Sequence, residues 1–257
     1  MGSGDRAHGE LGDGASLRVD YLDGLRGWAA LAVALSHGVL ALDFAFLSGA
    51  GADSRIWWDV RLSAGPFAFF ATDGNFAVCI FFLLSGFVLS ASYARSRLGW
   101  LALALRRYVR LGIPIIAGVL FSWATISLNL ASPDAAARVT HSTWLTWQVV
   151  PFPSLHGMLA SLFRLMFMFQ KNRGDVYDSS LWTMPIELSA SLLILTVMVA
   201  ARRLGGAGTT VAGVLFWVMG VLWSGSYFGL FCFGAALRLS GPASLFEAIR
   251  RCRLGTL

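Results

Sequence analysis

Residues 21–42 read YLDGLRGWAALAVALSHGVLAL, and this stretch indicates whether the chain folds in water or in a membrane. After Trp28 it is an apolar run that approaches the length of a membrane crossing, about 20 residues of α-helix. The run nevertheless begins beside Arg26 and holds His37 in its interior. Ionisable groups are costly in hydrocarbon, so each of the two needs a structural or functional reason.

The composition of the whole chain favours lipid over water. Of the 257 residues, 56% are hydrophobic and 13% are charged, whereas soluble domains carry about 25% charged residues. Further long apolar runs follow the first, so we predict an all-α, polytopic transmembrane helix bundle. The candidate spans, about six, are roughly 26–47, 75–94, 111–130, 181–201, 210–224 and 225–240. The last two are short, which predicts a tight helical hairpin.

Two regions do not fit a simple span. Residues 141–170 are apolar, but Pro151 and Pro153 interrupt any single helix there. We expect an interfacial or re-entrant segment, with Trp144 and Trp147 at the level of the lipid headgroups.

Residues 1–16 are Gly-rich and polar and are predicted to form a disordered tail, which leaves 17–257 as one membrane domain. A signal peptide is the alternative for the N-terminus, but an uncleaved first helix fits better because the run is long and contains charge.

The positive charges set the orientation. With the N-terminus in the cytoplasm, only six of the 20 basic residues fall outside (Arg55, Arg61, Arg138, Arg164, Lys171 and Arg173). This bias follows the positive-inside rule, so the net charge of +6 is explained without nucleic acid as a partner. The 3 cysteines and 4 histidines have no spacing typical of a disulfide framework or a metal site, and we predict no metal.

The first candidate functional pair is Arg26 and His37. They are eleven residues apart, which on an α-helix places both side chains within roughly 20° of one another and about 16 Å apart along the axis. A shared polar stripe predicts that this face lines a polar cavity, with Arg26 near the inner surface and His37 about halfway across. Asp23 is a possible partner for Arg26. The alternatives are an anchoring arginine and a histidine that only bonds a neighbouring helix.

Two more clusters carry candidate residues. In LALALRRYVRLGIP (101–114), Arg106, Arg107 and Arg110 have helical spacing and form a cationic patch suited to phosphate. A plain positive-inside anchor is the alternative. In SSLWTMPIEL (179–188), Ser179 or Ser180 is expected to cap a helix, which places Glu187 near its N-terminus. Glu187 either matches the helix dipole or faces the same cavity as His37.

A further motif concerns packing rather than chemistry. In FFLLSGFVLS (81–90), Ser85 and Gly86 indicate close helix packing.

Together these motifs resemble the membrane acyltransferase-3 family, the integral-membrane O-acyltransferases. The resemblance rests on YLDGLRGWAALAVALSHG, FFLLSGFVLS, RRYVRLGIP and SLWTMPIEL, in the family's order across most of residues 20–200. It implies that His37 is the catalytic histidine, Arg26 its partner and Glu187 the acidic residue of the third motif. Arg107 and Arg110, with Arg106 beside them, are implied to handle the acyl-CoA donor. The family pattern runs to about ten helices, which implies a chain that is short at its C-terminus.

The expected function is therefore an integral-membrane acyltransferase. The resemblance implies transfer of an acyl group, often acetyl, from acyl-CoA to a hydroxyl of a carbohydrate, lipid or small-molecule acceptor. A neutral histidine suits removal of the hydroxyl proton, so His37 is the expected general base. Two other classes stay open: a transporter or proton pathway, against which the lack of a visible internal repeat counts, and an inactive membrane partner protein.

Overall fold

A computed structural model describes residues 20–44, 46, 73–146, 153–167 and 177–241, and every regular element in this part of the chain is helical. The helices are α1 (Asp20–Leu42), α2 (Gly74–Arg95), α3 (Trp100–Ser127), α4 (Pro133–Thr140), α5 (Thr143–Thr146), α6 (Leu155–Met166), α7 (Thr183–Ala201), α8 (Gly208–Leu222) and α9 (Tyr227–Ser240). Two 3₁₀ segments, Ser179–Trp182 and Arg202–Ala207, precede and follow α7. The predicted all-α fold is confirmed. The predictions for the tail 1–16, for Trp147 and for the chain's C-terminal end fall outside the described residues.

Four helical stretches are long and apolar enough to cross a membrane: Gly24–Leu42, Gly74–Arg95, Trp100–Ser127 and Ser180–Gly205. The predicted fifth and sixth spans correspond to α8 and α9, which have 15 and 14 residues. A helix of that length measures only about 22 Å, less than the ~30 Å hydrocarbon core. These two helices pack against each other across a tight turn in which the Ser226 N–H donates to the Trp223 carbonyl. The predicted hairpin is confirmed, within a polytopic helical membrane bundle.

Two helix boundaries differ from those expected. α3 begins at Trp100 rather than near residue 111, so Arg106, Arg107 and Arg110 lie on the helix itself. The expected start followed the apolar run, which the arginines interrupt because they lower the local hydropathy. Leu, Ala and Arg are nevertheless strong helix formers, so the helix extends through this segment. α1 ends at Leu42 rather than near residue 47. His37 consequently lies about 8 Å from the C-terminal end of α1 and not near its middle.

α2 is the central helix, and α1, α7 and α9 pack around it. It meets α9 at a reciprocal glycine contact. A Cβ on Gly86 would lie 2.0 Å from the Phe231 carbonyl oxygen, and one on Gly234 would lie 1.9 Å from the Leu83 carbonyl oxygen. Only glycine allows the two backbones to approach this closely. The close packing predicted from Ser85 and Gly86 is confirmed, and it fixes the wall that α2 contributes to the cavity described next.

Candidate active site

A cavity of about 780 Å³ lies beside His37, bounded by α1, α2, α5, the first 3₁₀ segment, α7 and α9. This volume is within the ~300–1,000 Å³ typical of small-molecule sites. The lining is mainly apolar and aromatic, and no charged side chain is among the described residues that form it. Its polar side chains are Ser36, His37, Asn75, Ser180, Thr183 and Tyr227. The expected polar cavity is therefore an aromatic cavity with a few polar groups.

His37 is half-buried in the wall of this cavity. Its ring stacks on the indole of Trp144, with 5.7 Å between the ring centroids and 23° between the ring planes. The expected position of Trp144 at the headgroup level stays a prediction; within the bundle its ring lies on the imidazole. Asp178 is close enough to His37 for an electrostatic interaction. The Asp178 carboxylate also accepts hydrogen bonds from the backbone N–H and the hydroxyl of Ser180, so its position is fixed.

Arg26 lies on the same side of α1 as His37, as their spacing predicts. Its guanidinium group stands over the ring of Phe81 on α2, 5.2 Å from the ring centroid, an arrangement that stabilises a cation against an aromatic face. Between Arg26 and His37 this side of α1 carries small residues (Ala29, Ala30, Val33 and Ala34), all of which line the cavity. The stripe from Arg26 to His37 is thus left open by small side chains. The side chain of Asp23, the expected partner of Arg26, lies outside the described residues.

Glu187 is not part of the cavity lining. Its carboxylate forms a buried ion pair and hydrogen bond with the Arg107 guanidinium, which joins α7 to α3. Arg107 is 7% exposed and Glu187 is 4% exposed. Of the two alternatives for Glu187, the one in which it faces the same cavity as His37 is not what the structure shows. A buried carboxylate is far better matched by a guanidinium than by an apolar cavity. Glu187 lies one helical turn after Thr183, whose side chain does line the cavity.

The other two arginines of this cluster have a different environment. Arg106 and Arg110 are exposed on α3 and share one face, since they are four residues apart. The cluster therefore divides into one buried arginine that is paired with Glu187 and two exposed arginines.

The helix cap in the motif at residues 179–188 also differs from the prediction. The side chain of Asp178, rather than Ser179 or Ser180, caps the 3₁₀ segment that leads into α7.

Two cavity residues, Tyr227 and Trp182, were not singled out from the sequence. The Tyr227 hydroxyl donates to Asn75 Oδ1 at 2.6 Å, which joins α9 to α2 across the cavity, and Trp182 forms an aromatic contact with Tyr227. Trp182 belongs to the SLWTM motif, so its aromatic character was a usable signal, whereas Tyr227 follows an ordinary turn. Among the described residues no group of three or more His, Cys, Asp or Glu side chains is placed to hold a metal ion.

Comparison with known proteins yields one match. A family model described as an acyltransferase domain, that of the acyltransferase-3 family, matches residues 19–249. Neither the curated proteins nor the solved structures include a match to this chain. The matched range contains every residue of the cavity and of the arginine cluster.

Proposed function

The chain belongs to the acyltransferase-3 family, and from this premise we propose that it transfers an acyl group, in the simplest case acetyl, from acyl-CoA to a hydroxyl of a carbohydrate, lipid or small-molecule acceptor. The family and the apolar helices make it an integral membrane acyltransferase. The observation that supports the finer proposal is the position of His37. It is the one histidine among the described residues that lines the cavity, and it lies on the same stripe as Arg26.

In the proposed step His37 acts as the general base. The acceptor oxygen attacks the thioester carbonyl while the neutral imidazole takes the hydroxyl proton; the C–S bond then breaks, and the proton passes to the departing CoA thiolate. A general base contributes about 10²–10⁴-fold to the rate.

The donor is proposed to bind along α3 and α1. Arg106 and Arg110 are exposed and cationic, which suits the phosphates of CoA, whereas Arg107 is held by Glu187 and fixes α3 against α7. The stripe of small residues on α1 leaves space for the pantetheine arm between Arg26 and His37. The two residues are about 16 Å apart along the helix, comparable with the reach of that arm. This arrangement requires the N-terminus of α1 on the cytoplasmic side, where acyl-CoA is available.

Membranes containing the full chain, supplied with radiolabelled acetyl-CoA, test the catalytic role. We measure label transfer and release of free CoA together, and compare His37→Ala with His156→Ala, a histidine that is exposed outside the cavity. Loss of about 10²-fold or more in the first variant alone supports the proposal. Equal turnover in the two variants would refute His37 as the base. Solute flux without acyl-CoA would indicate a transporter instead, and folded protein without turnover would indicate an inactive partner.

A second comparison tests the donor site. Arg110→Ala is expected to raise KM for acetyl-CoA several-fold with a smaller change in kcat, because it removes a phosphate contact that is present in both the ground state and the transition state. Arg203→Ala, an exposed arginine outside the cluster, is the matched control. A change in kcat alone, with KM unaltered, would contradict the assignment.

A further inference from the structure

The stack between Trp144 and His37 is a contact in the cavity that the proposed reaction does not use. The two rings are nearly parallel at 23°, with 5.7 Å between their centroids. Trp144 comes from α5, far along the chain from α1, and both side chains line the same cavity. We propose that Trp144 is a positioning residue that holds the His37 imidazole in place and covers one of its faces.

The segment that carries Trp144 is itself tied to α1. Ser142, which is 1% exposed, donates its hydroxyl hydrogen to the Leu40 carbonyl at 2.5 Å. The same hydroxyl oxygen accepts from the Leu145 N–H at 3.3 Å. The Leu40 carbonyl belongs to the last turn of α1, where carbonyl groups lack partners within the helix. Ser142 therefore satisfies a carbonyl that would be costly to leave unpaired near lipid and docks α5 on the helix that holds His37.

Stacking has a direct consequence for a base on a flexible side chain. An imidazole without a neighbour can rotate about its side-chain bonds, and only some of these orientations direct a ring nitrogen into the cavity. An indole packed on one face restricts that rotation. It leaves a ring nitrogen available to a group bound in the cavity, and it obstructs a bulky reagent that approaches the ring from the stacked side. The catalytic consequence rests on the proposed role of His37 as the base, while the shielding of the ring does not.

The shielding is measured with diethyl pyrocarbonate, a small reagent that modifies imidazole nitrogen. The full chain has 4 histidines, so His8, His141 and His156 are replaced by Asn to leave His37 as the single target, and modification is followed by mass spectrometry. Trp144→Ala is expected to raise the modification rate about threefold or more. Trp144→Phe keeps a ring on the imidazole and is expected to stay near the parent rate. Ser142→Ala, which loosens the segment without removing the indole, is expected to lie between them.

Turnover of acetyl-CoA is measured in parallel on the same tryptophan and serine variants in the native histidine background. A fall in kcat for Trp144→Ala that Trp144→Phe restores, together with the rise in modification rate, supports the proposal. An unchanged modification rate in Trp144→Ala overturns it, as does a raised rate with unaltered kcat. If His37 of the parent chain is modified as expected but the native chain shows no turnover, the proposed function fails. The modification rates still decide whether Trp144 shields the ring.

Discussion

The cavity beside His37 and the ion pair between Arg107 and Glu187 are two polar sites inside one apolar bundle, and they are built in opposite ways. No charged side chain is among the described residues that line the cavity, and two of its polar side chains, His37 and Tyr227, are held by a ring stack and by a neutral hydrogen bond. The ion pair concentrates two full charges between α3 and α7, both almost completely buried. Both sites fall within the matched acyltransferase domain.

The difference separates scaffold from chemistry. A charge in a low-dielectric interior must be paired, so Arg107 and Glu187 hold each other and in doing so hold two helices. A reactive imidazole must instead exchange a proton during turnover, which a tight permanent ion pair would hinder. His37 has no ion pair among the described residues, so its imidazole is available for that exchange. The charged pair should therefore control stability, and the neutral cavity should control turnover.

The largest expected effect tests the charged site. Glu187→Ala leaves the Arg107 guanidinium buried without its carboxylate, and breaking such a pair costs about 3–5 kcal/mol in the free energy of unfolding. The measurement is denaturant-induced unfolding in detergent micelles. His37→Ala, in the neutral cavity, is expected to change the free energy of unfolding by much less while removing turnover.

The double variant Arg107→Met/Glu187→Leu sharpens this test. It removes both charges together, and replacing a whole buried ion pair by apolar residues is often neutral or stabilising. We therefore expect it to recover most of the stability that Glu187→Ala loses. If the double variant is stable but lacks turnover, the pair contributes to the reaction itself, and the division between scaffold and chemistry drawn above is wrong.

A smaller effect is expected where the cavity wall depends on backbone contact. Gly234→Ala places a Cβ 1.9 Å from the Leu83 carbonyl oxygen, so α9 must move away from α2. Overpacking of this kind costs about 1–3 kcal/mol. The matched control is Gly27→Ala on α1, where an added Cβ meets nothing within 4 Å. The control should gain up to about 1 kcal/mol, because alanine is the better helix former. Equal free energies of unfolding for the two variants would mean that the α2–α9 contact does not hold the wall.

The sequence was informative where the interactions are local. Helical periodicity placed Arg26 and His37 on one side of α1, and small residues indicated the close packing of α2 at Gly86. It failed where partners are distant along the chain. Nothing in residues 101–114 or 179–188 alone shows that Arg107 and Glu187 pair across a separation of 80 residues. Nor does the interrupted stretch 141–170 show that Trp144 packs on His37, because the two residues are far apart in the sequence and the segment meets α1 through a hydrogen bond from Ser142 to the Leu40 carbonyl.

The smallest expected effect concerns the hydrogen bond between Tyr227 and Asn75 in the cavity. Tyr227→Phe removes the hydroxyl that donates to Asn75 Oδ1 at 2.6 Å, and a neutral hydrogen bond contributes about 0.5–1.5 kcal/mol. The coupling energy is obtained from a double-mutant cycle of unfolding free energies with Asn75→Ala. It should stay near 1 kcal/mol, because both residues border an open cavity where water can replace the lost partner. The same cycle on Arg107 and Glu187 should give a several-fold larger coupling energy, since both charges are buried and water cannot replace the lost partner. Equal coupling energies in the two cycles would show that burial of charge is not what distinguishes the ion pair from the cavity.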